Sequence, residues 1–408
     1  MPLSMIGLGT AVPRGRLSQE EALALAPQMA TASPRQQRLL ERIYQRSGVL
    51  QRHCIPPSLS PNPSTAERMR RYQPAALELA QRASRRALDD AGIEASAITH
   101  LITVSCTGFG APGFDLALIA SLPLSMDVAR THVGFMGCHG AFNGLRVARA
   151  FVEADPRACV LLCAVELCSL HLQEGWNPDH IVANALFGDG AGAVVAVGCE
   201  VAGEGGAGNT GKSSGLQLVA SASTVLPGSE ELMGWTIGDH GFSMVLSSQV
   251  PSRIASQLRP WLDRWLAGEG LTLPEVETWA VHPGGPRILR AVLESAALQA
   301  AQIDLSIEVL SQFGNMSSAT ILFILERLRT RAGSGPCLAL GFGPGLTVEA
   351  ALLMPRNAPN VLPLVPAKLP LGGCSNGQRL VKLCPVGFGE AEPGPGEGSN
   401  SINAAPAA

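Results

Sequence analysis

Short apolar strands alternate with amphipathic helices along this chain, and the alternation occurs twice. The fully apolar run Ala158–Val165 predicts a buried strand, whereas helical spacing of apolar and basic residues predicts a helix from Phe142 to about Ala154. Pro74 predicts the start of another helix, Pro74–Ala91, because the first helical position needs no N–H. Repeated alternation of this kind is typical of sheets covered by helices. The sequence therefore predicts an α/β fold.

The chain divides into three parts by composition. A Gly/Ser-rich segment without hydrophobic period, 201–214, predicts a surface loop between an N-terminal half over 1–215 and a C-terminal half over 216–354. The last part, 355–408, is rich in Pro, Gly, Ser and Asn and carries few large apolar residues. Such a composition buries too little apolar surface to offset the entropy of ordering. It predicts a largely disordered tail, above all from Gly387 onward.

Composition also limits the function. The 408 residues are 46% hydrophobic and 15% charged, with a net charge of −3, which gives a large core and no general basic surface for nucleic acid. No apolar run reaches the length of a membrane span, and the start lacks the features of a signal peptide. The ten cysteines are scattered and form no CxxC pair, which favours reduced thiols in the cytoplasm over disulfides.

One cysteine lies in a turn of small residues. Cys138 follows the predicted strand Ala129–Val133 and opens the helix that begins near Phe142. A helix N-terminus presents unpaired N–H groups and a positive partial charge, so we expect the thiolate form of this sulfur to be favoured. A lone cysteine is more often a buried packing residue. Its interpretation therefore depends on partners elsewhere in the chain.

Two such partners lie at the ends of predicted elements in the second half. His282 follows the predicted strand Thr278–Val281, and Asn315 precedes the predicted helix Ile321–Arg331. A thiolate can carry an acyl group, while His and Asn can donate hydrogen bonds to a thioester oxygen as negative charge develops. Loss of CO2 from a malonyl thioester creates the carbanion without a carboxylate base. Together with Cys138, these residues predict a site for acyl transfer and decarboxylation.

Other side chains support weaker hypotheses. Cys159, Cys163 and Cys168 cluster, but their spacing is unlike that of zinc sites, so we expect no metal. Glu166 ends a buried run and is either a satisfied structural carboxylate or a site residue, because buried charge is costly unless paired.

A basic stripe recurs at helical spacing in a predicted helix over Gln36–Arg46. Its members are Arg35, Arg38, Arg42 and Arg46. The stripe is either a solvated helix face or a patch for an anionic ligand such as a phosphorylated carrier.

Five motifs resemble those of one known family. They are Gly137-Cys138, Leu186–Ala191, Trp279–Pro286, Gly314–Ala319 and Gly341–Glu349. In this order they resemble the signatures of type III polyketide synthases, the chalcone and stilbene synthase family, and the likeness runs from about residue 3 to Met354. The resemblance implies a thiolase-like five-layered αβαβα fold of two pseudo-repeated halves. It also implies a homodimer that uses acyl-CoA and malonyl-CoA, with no cofactor, metal or acyl carrier protein.

The resemblance also assigns roles to individual residues. Cys138 would be the nucleophile, and His282 and Asn315 would form the oxyanion site that promotes malonyl decarboxylation. Arg42 and Arg46 match basic positions that hold the phosphates of CoA. The residues that match the walls of the elongation cavity are Phe187, as an aromatic gate, with Cys106, Thr107, Ala111, Cys168 and His171.

Several departures from the plant pattern favour a bacterial-type member. The chain has Ala141-Phe142 where plant enzymes usually carry Gly-Gly, and His171 where they commonly carry Thr. The product therefore stays open between an alkylpyrone or alkylresorcinol and a chalcone- or stilbene-like compound. Because Thr107, Ala111 and Cys168 are small, we predict a tunnel for a fatty acyl starter. The region Met233–Thr236 corresponds to one that shapes the cavity of plant enzymes. Its Trp235 would narrow the space near the cavity. The alternative is a chalcone-like or small-starter enzyme.

Two other functions fit the same residues. The first is a single condensation like that of 3-oxoacyl-[acyl-carrier-protein] synthase III, which takes its malonyl group from a carrier protein. The second is a non-catalytic acyl-binding subunit, which the intact set of Cys138, His282 and Asn315 argues against.

Overall fold

The structure is a computed structural model, and it describes residues 2–29, 33–58, 62–199, 215–331, 333 and 335–356. The predicted loop over 201–214 lies outside the described residues. So does the predicted tail beyond Arg356.

The described strands and helices follow one another in the predicted alternation. The strands are β1 (Leu3–Ala11), β2 (Gly15–Ser18), β3 (Gln51–Cys54), β4 (His100–Ser105), β5 (Ala129–Gly134), β6 (Cys159–Leu167), β7 (Asp189–Gly198), β8 (Leu216–Val225), β9 (Met233–Gly238), β10 (Gly241–Leu246), β11 (Thr278–Val281), β12 (Cys337–Gly343) and β13 (Thr347–Pro355). The helices are α1 (Gln19–Met29), α2 (Pro34–Gln45), α3 (Thr65–Ala91), α4 (Phe114–Ser121), α5 (Gly140–Ala154), α6 (Pro178–Leu186), α7 (Val250–Gly268), α8 (Pro286–Ala296), α9 (Asp304–Phe313) and α10 (Thr320–Arg331).

The two halves repeat one pattern of strand pairing. In the first half β4 runs parallel to β6, and β6–β7 and β7–β1 are antiparallel. In the second half β11 runs parallel to β12, and β12–β13 and β13–β8 are antiparallel. Nine of the described strands join in one sheet of order β11-β12-β13-β8-β1-β7-β6-β4-β5, and the pairs β2–β3 and β9–β10 form two small two-stranded sheets. The halves meet where Leu3, Ser4 and Met5 of β1 pair with the first residues of β8.

Three apolar cores separate the layers. In β6, Leu162 faces a central core that α5 and α10 share with strands of both halves. The next residue towards the N-terminus, Leu161, faces an outer core with α3 and α4, because successive side chains of a strand point to opposite faces. On the far side, Leu338 of β12 packs in a second outer core with α7 and α8. These layers confirm the predicted thiolase-like αβαβα fold; the boundary at 215/216 stays an interpretation.

One predicted helix boundary is wrong. Helix α3 begins at Thr65, and Pro74 lies inside it rather than at its start. Ser64 is the N-cap, and its hydroxyl accepts a hydrogen bond from the Glu67 N–H. The buried face of a 27-residue helix outweighs the loss of one internal hydrogen bond at proline.

Candidate active site

The turn that carries Cys138 is held in an unusual backbone conformation. Gly137–His139 forms one 3₁₀ turn directly before α5, so Cys138 lies at a helix start as predicted. Gly137 has φ +70°, and a Cβ there would lie 2.6 Å from Cδ of Pro344. Only glycine adopts this conformation without cost while allowing the close approach. The Gly-Cys pair therefore fixes the position of the sulfur.

Desolvation favours the protonated form of the Cys138 sulfur, although the residue as a whole is half-buried. It raises the pKa of the thiol to about 11, and the carboxyl of Glu166 acts in the same direction. Hydrogen bonds from the Ser317 hydroxyl and the Asn315 amide oppose the rise without cancelling it. The expectation that the helix N-terminus yields a resting thiolate is therefore wrong for this arrangement, because desolvation outweighs the helix end.

Asn315 reaches Cys138 through a fixed backbone. Its N–H donates to the Leu186 carbonyl (2.8 Å), and its own carbonyl accepts from the Gly188 N–H (3.0 Å). These bonds place Asn315 beside Phe187, at the end of α6. The side-chain oxygen accepts from the Ser317 N–H (2.8 Å), which leaves the amide NH2 for the sulfur of Cys138. The structure thus brings together two of the three predicted catalytic residues by direct contact.

His282 lies at the end of β11, fully buried. Its N–H donates to the carbonyl of Leu340 in β12 (2.8 Å), and the end of β12 also packs against the Cys138 turn. Neither ring nitrogen has a hydrogen-bond partner among the described residues, Cys138 included. Burial, together with a smaller effect of nearby His139, lowers the pKa of the imidazole to about 3. The His282 imidazole and the Cys138 thiol are therefore both neutral.

Glu166 is a satisfied buried carboxylate. It accepts hydrogen bonds from the Cys106 N–H (3.1 Å), the Cys106 thiol (3.3 Å), the Thr107 hydroxyl (2.7 Å) and the Ser318 hydroxyl. Burial raises its pKa, and these donors act against the rise. Of the two interpretations left open by the sequence, the geometry favours the structural one. The network links the end of β4 to the turn before α10.

A cavity lies next to these residues. Its volume, measured for the centres of water-sized molecules, is about 70 Å³. Its walls are Cys106, Thr107, Cys168, His171, Leu172, Ala183, Asn184, Phe187, Trp235, Phe242, Met244 and Ser317. Five of the six predicted cavity residues are therefore brought together. The sixth, Ala111, is exposed and is not part of this wall.

His171 is a wall residue with a structural task. Its Nε2 donates to the Thr107 carbonyl (2.6 Å), because its Nδ1 already accepts from the Phe242 N–H (3.0 Å). The ring stacks on Phe242 at 4.0 Å between centroids, and Phe242 stacks on Trp235 at 4.9 Å. Burial lowers the pKa of His171 to about 4, so the ring is neutral. It fixes the β9–β10 hairpin as an aromatic wall of the cavity.

Two family models match this chain. "Chalcone and stilbene synthases, N-terminal domain" matches residues 2–200, and the C-terminal domain of the same synthases matches residues 217–356. The chain belongs to the chalcone and stilbene synthase family. It is a type III polyketide synthase, an enzyme of the acyltransferase class, as the motifs predict.

Bacterial members are among its similar proteins. A 1,3,6,8-tetrahydroxynaphthalene synthase of Streptomyces peucetius subsp. caesius is 35% identical over 86% of this chain and 92% of its own. The α-pyrone synthesis polyketide synthase-like Pks18 of Mycobacterium tuberculosis is 32% identical over 85% of this chain and 89% of its own. The crystal structure of the Streptomyces coelicolor A3(2) tetrahydroxynaphthalene synthase matches 87% of this chain and 100% of its own, with 30% identity and a TM-score of 0.79.

The predicted CoA residues of this polyketide synthase lie on an exposed helix. Arg42 is in the last turn of α2, and Arg46 is its C-cap; both are exposed. Leu40 and Tyr44 on the opposite face of α2 pack on α6, the helix that ends at Phe187. The basic stripe therefore lies on a helix that directly supports one end of the cavity wall.

Two residues of the site were missed by sequence reasoning. Ser317 contacts the thiols of Cys106 (3.2 Å) and Cys138, and it has φ +46°, a conformation that non-glycine residues rarely adopt. Arg52 is buried and donates to the carbonyls of Asn184 (2.6 Å), Ala185 (3.0 Å) and Phe187 (3.1 Å) at the end of α6. No sequence pattern indicates that Ser317 contacts the two thiols. None indicates that Arg52, in a short strand, binds the end of α6.

The described residues hold no group of three His, Cys, Asp or Glu side chains that could bind a metal ion. No described helix is long and apolar enough to cross a bilayer.

Proposed function

We propose that this polyketide synthase takes an acyl starter from a CoA thioester onto Cys138 and extends it by repeated decarboxylative condensation with malonyl-CoA. The observation that carries the proposal is the position of the Cys138 sulfur. It receives hydrogen bonds from Asn315 and Ser317, and Ser317 also lines the cavity. A nucleophile, an amide donor and a space for a growing chain therefore meet at one point.

Loading begins from neutral groups. Because Cys138 is a thiol and His282 a neutral imidazole, the sulfur loses its proton as it attacks the thioester carbon rather than beforehand. The carbon–sulfur bond to CoA breaks, the CoA sulfur takes up the proton, and the acyl group stays on Cys138. In this proposal His282 relays the proton. While the tetrahedral intermediate exists, the His282 ring holds that proton, and hydrogen bonds from this ring and from the Asn315 amide stabilise the oxygen of the intermediate.

Extension uses the same two donors. Loss of CO2 from the malonyl thioester leaves an enolate, whose oxygen accepts hydrogen bonds from His282 and Asn315. The enolate carbon attacks the acyl group on Cys138, and the sulfur leaves as thiolate. A buried site without competing water makes these hydrogen bonds worth more than in solvent. No cofactor, metal or acyl carrier protein takes part in the proposed cycle.

The direct test is a product assay. Purified protein is incubated with malonyl-CoA and acyl-CoA starters, and the products are identified by mass spectrometry. Products carrying several malonyl units support the proposal. A product with a single unit would instead indicate a condensation like that of 3-oxoacyl-[acyl-carrier-protein] synthase III. A protein that gains no acyl mass on Cys138 would be a non-catalytic binding subunit.

For the starter we propose a fatty acyl chain, extended with two or three malonyl units to an alkylpyrone or alkylresorcinol. Two of the three small residues that led to this prediction, Thr107 and Cys168, line the cavity, whereas Ala111 does not. A tunnel opening between them would gain about 0.8 kcal/mol per buried methylene, so six extra methylenes favour a C12 over a C6 starter by orders of magnitude. Trp235 is also part of the cavity wall.

The starter proposal predicts the effect of one bulky substitution. Cys168→Phe should reduce kcat/KM for dodecanoyl-CoA at least tenfold and affect hexanoyl-CoA less, because the ring fills the tunnel mouth. Cys168→Ser, which keeps the volume, is the matched control. A wild-type preference for 4-coumaroyl-CoA, or dodecanoyl-CoA activity untouched by Cys168→Phe, would contradict the tunnel.

The proposed CoA contact predicts a kinetic effect of Arg42 and Arg46. Changing both to Ala should raise KM for acyl-CoA several-fold with a smaller change in kcat, which is the pattern of lost uniform binding. The wild-type KM should also rise with salt, because exposed charges are screened. Changing Arg35 instead, on the first turn of the same helix, provides the control. An unchanged KM in the double variant would make the stripe a solvated face.

The remaining assignments are part of the proposal. We propose a homodimer, as the family resemblance implies, and a cytoplasmic location. Cys106 and Cys168 are free thiols in the cavity wall, and Cys138 is also a free thiol, which suits a reducing compartment.

A further inference from the structure

His139, the residue directly after Cys138, is buried against the end of β12. A Cβ on Gly343 would lie 2.3 Å from Cδ2 of the His139 ring, and one on Gly341 would lie 3.2 Å from its Cβ. Only a strand without side chains at these two positions admits the imidazole. The same end of β12 binds His282 through the carbonyl of Leu340. The two histidines therefore share one small buried region beside the nucleophile.

A hydrogen-bonded chain connects His139 to a carboxylate. Nδ1 of His139 lies 2.8 Å from Oδ1 of Asn143, one turn later on α5, and Nδ2 of Asn143 donates to Oε1 of Glu349 (3.1 Å). Because the amide NH2 is committed to the carboxylate, its oxygen faces the ring, and Nδ1 of His139 must carry the hydrogen. Glu349 is held by the Ser223 hydroxyl (2.9 Å) and by Arg146.

The two histidines therefore differ in how well they tolerate a positive charge. His139 is connected to the carboxylate of Glu349 by hydrogen bonds through Asn143, whereas neither ring nitrogen of His282 has a hydrogen-bond partner among the described residues. Arg146 offsets part of the Glu349 charge, but its side chain is 40% exposed, and solvent therefore screens it. Burial lowers the pKa of His139, and the Asn143 hydrogen bond and Glu349 act against this. Two neighbouring buried imidazoles do not both become charged, because like charges in low dielectric repel strongly.

We propose that His139 is a positioning residue of the reaction centre: linked through Asn143 to Glu349, it takes up a proton before His282 as the pH falls, and so extends the pH range over which His282 stays neutral. The charged and titratable groups around it are Glu349, Arg146, His282 and Cys138. The inference rests on the proposed function, in which neutral His282 relays the proton of Cys138 and stabilises the thioester oxygen. It adds a second histidine that acts through the first.

The test is the pH dependence of kcat/KM for polyketide formation in His139→Phe. Phenylalanine keeps a ring against Gly341 and Gly343 but holds no proton. Without the competing cation, His282 becomes charged at higher pH, so the acid limb should move up by half a pH unit or more. Asn143→Leu cuts the link to Glu349 and should move the limb in the same direction by less. It also keeps the test valid if His139→Phe fails to fold.

Two comparisons make the result specific. The double variant His139→Phe/Asn143→Leu should match His139→Phe alone, because Asn143 acts through His139. His132→Phe, on β5 and hydrogen-bonded to Thr103 (2.9 Å), should keep the wild-type profile. Superimposable profiles for wild type and a folded His139→Phe would overturn the inference. Lack of product from the wild type would instead overturn the proposed function.

Discussion

Cys138→Ala is expected to stop polyketide formation, lowering product formation by about a thousandfold or more. The Cys138 turn brings one sulfur to the Asn315 amide, and Cys106, the next thiol, is already committed to Glu166 and Ser317. Burial also raises the pKa of the Cys106 thiol far above its usual range, so it does not replace the missing nucleophile. Product formation is measured by mass spectrometry at saturating malonyl-CoA.

Decarboxylation separates the two roles of the site. Cys138→Ala should still release CO2 from malonyl-CoA, because that step needs the hydrogen bonds of His282 and Asn315 rather than the sulfur. Cys163→Ala, a buried thiol in the outer core, is the control and should retain polyketide formation. Undiminished product from Cys138→Ala would refute the assignment of the nucleophile.

Arg52→Leu is expected to cost about 3 kcal/mol of the free energy of unfolding, although the residue makes no contact with substrate in the proposed cycle. Arg52 is only 2% exposed, and its guanidinium donates to three carbonyls at the end of α6 and to the Gln19 side chain. Leucine would leave these carbonyls buried without donors, which costs more than the lost attraction itself. A fall in melting temperature of about 5 °C should follow.

The exposed Arg38→Leu on α2 provides the comparison for Arg52. It should shift the melting temperature by less than about 1 °C, because surface substitutions usually change stability little. Since Phe187 is the C-cap of α6 and the carbonyl of Leu186 accepts a hydrogen bond from the Asn315 N–H, Arg52→Leu should also lower kcat. An Arg52→Leu protein as stable as wild type would show that water replaces the guanidinium.

Periodicity and motif order predicted the layers and the position of Cys138, because both depend on contacts close in sequence. The Gly-Cys turn is one example. Its positive φ and the close approach of Pro344 require a glycine at position 137, and the Gly-Cys pair is visible in the sequence. The start of α3 was wrong because tertiary burial overrides the local preference of Pro74. Ala111 was likewise predicted to line the cavity, but it is exposed, because its position depends on how the loop folds and not on the size of the residue.

The charge states were the part of the site that sequence reasoning predicted wrongly. A helix start argues for a thiolate, but the degree of burial decides the charge state, and burial depends on residues far apart in the chain. For Cys138 the deciding groups include Glu166 and Ser317, which lie on other elements. For His282 burial decides the outcome, with a smaller effect of His139 from the other half of the chain. Neither property follows from local spacing.

The seam between β1 and β8 has a consequence for how this enzyme is made. The strand nearest the N-terminus lies in the middle of the sheet, between β7 and β8, and both neighbours are translated far later. Until Leu216–Val225 leaves the ribosome, β1 presents an open apolar edge, and such edges recruit strands of other molecules. Slow synthesis through this region should therefore favour aggregation of nascent chains. If the two halves were expressed separately, each would expose one unpaired strand edge, β1 in the first half and β8 in the second.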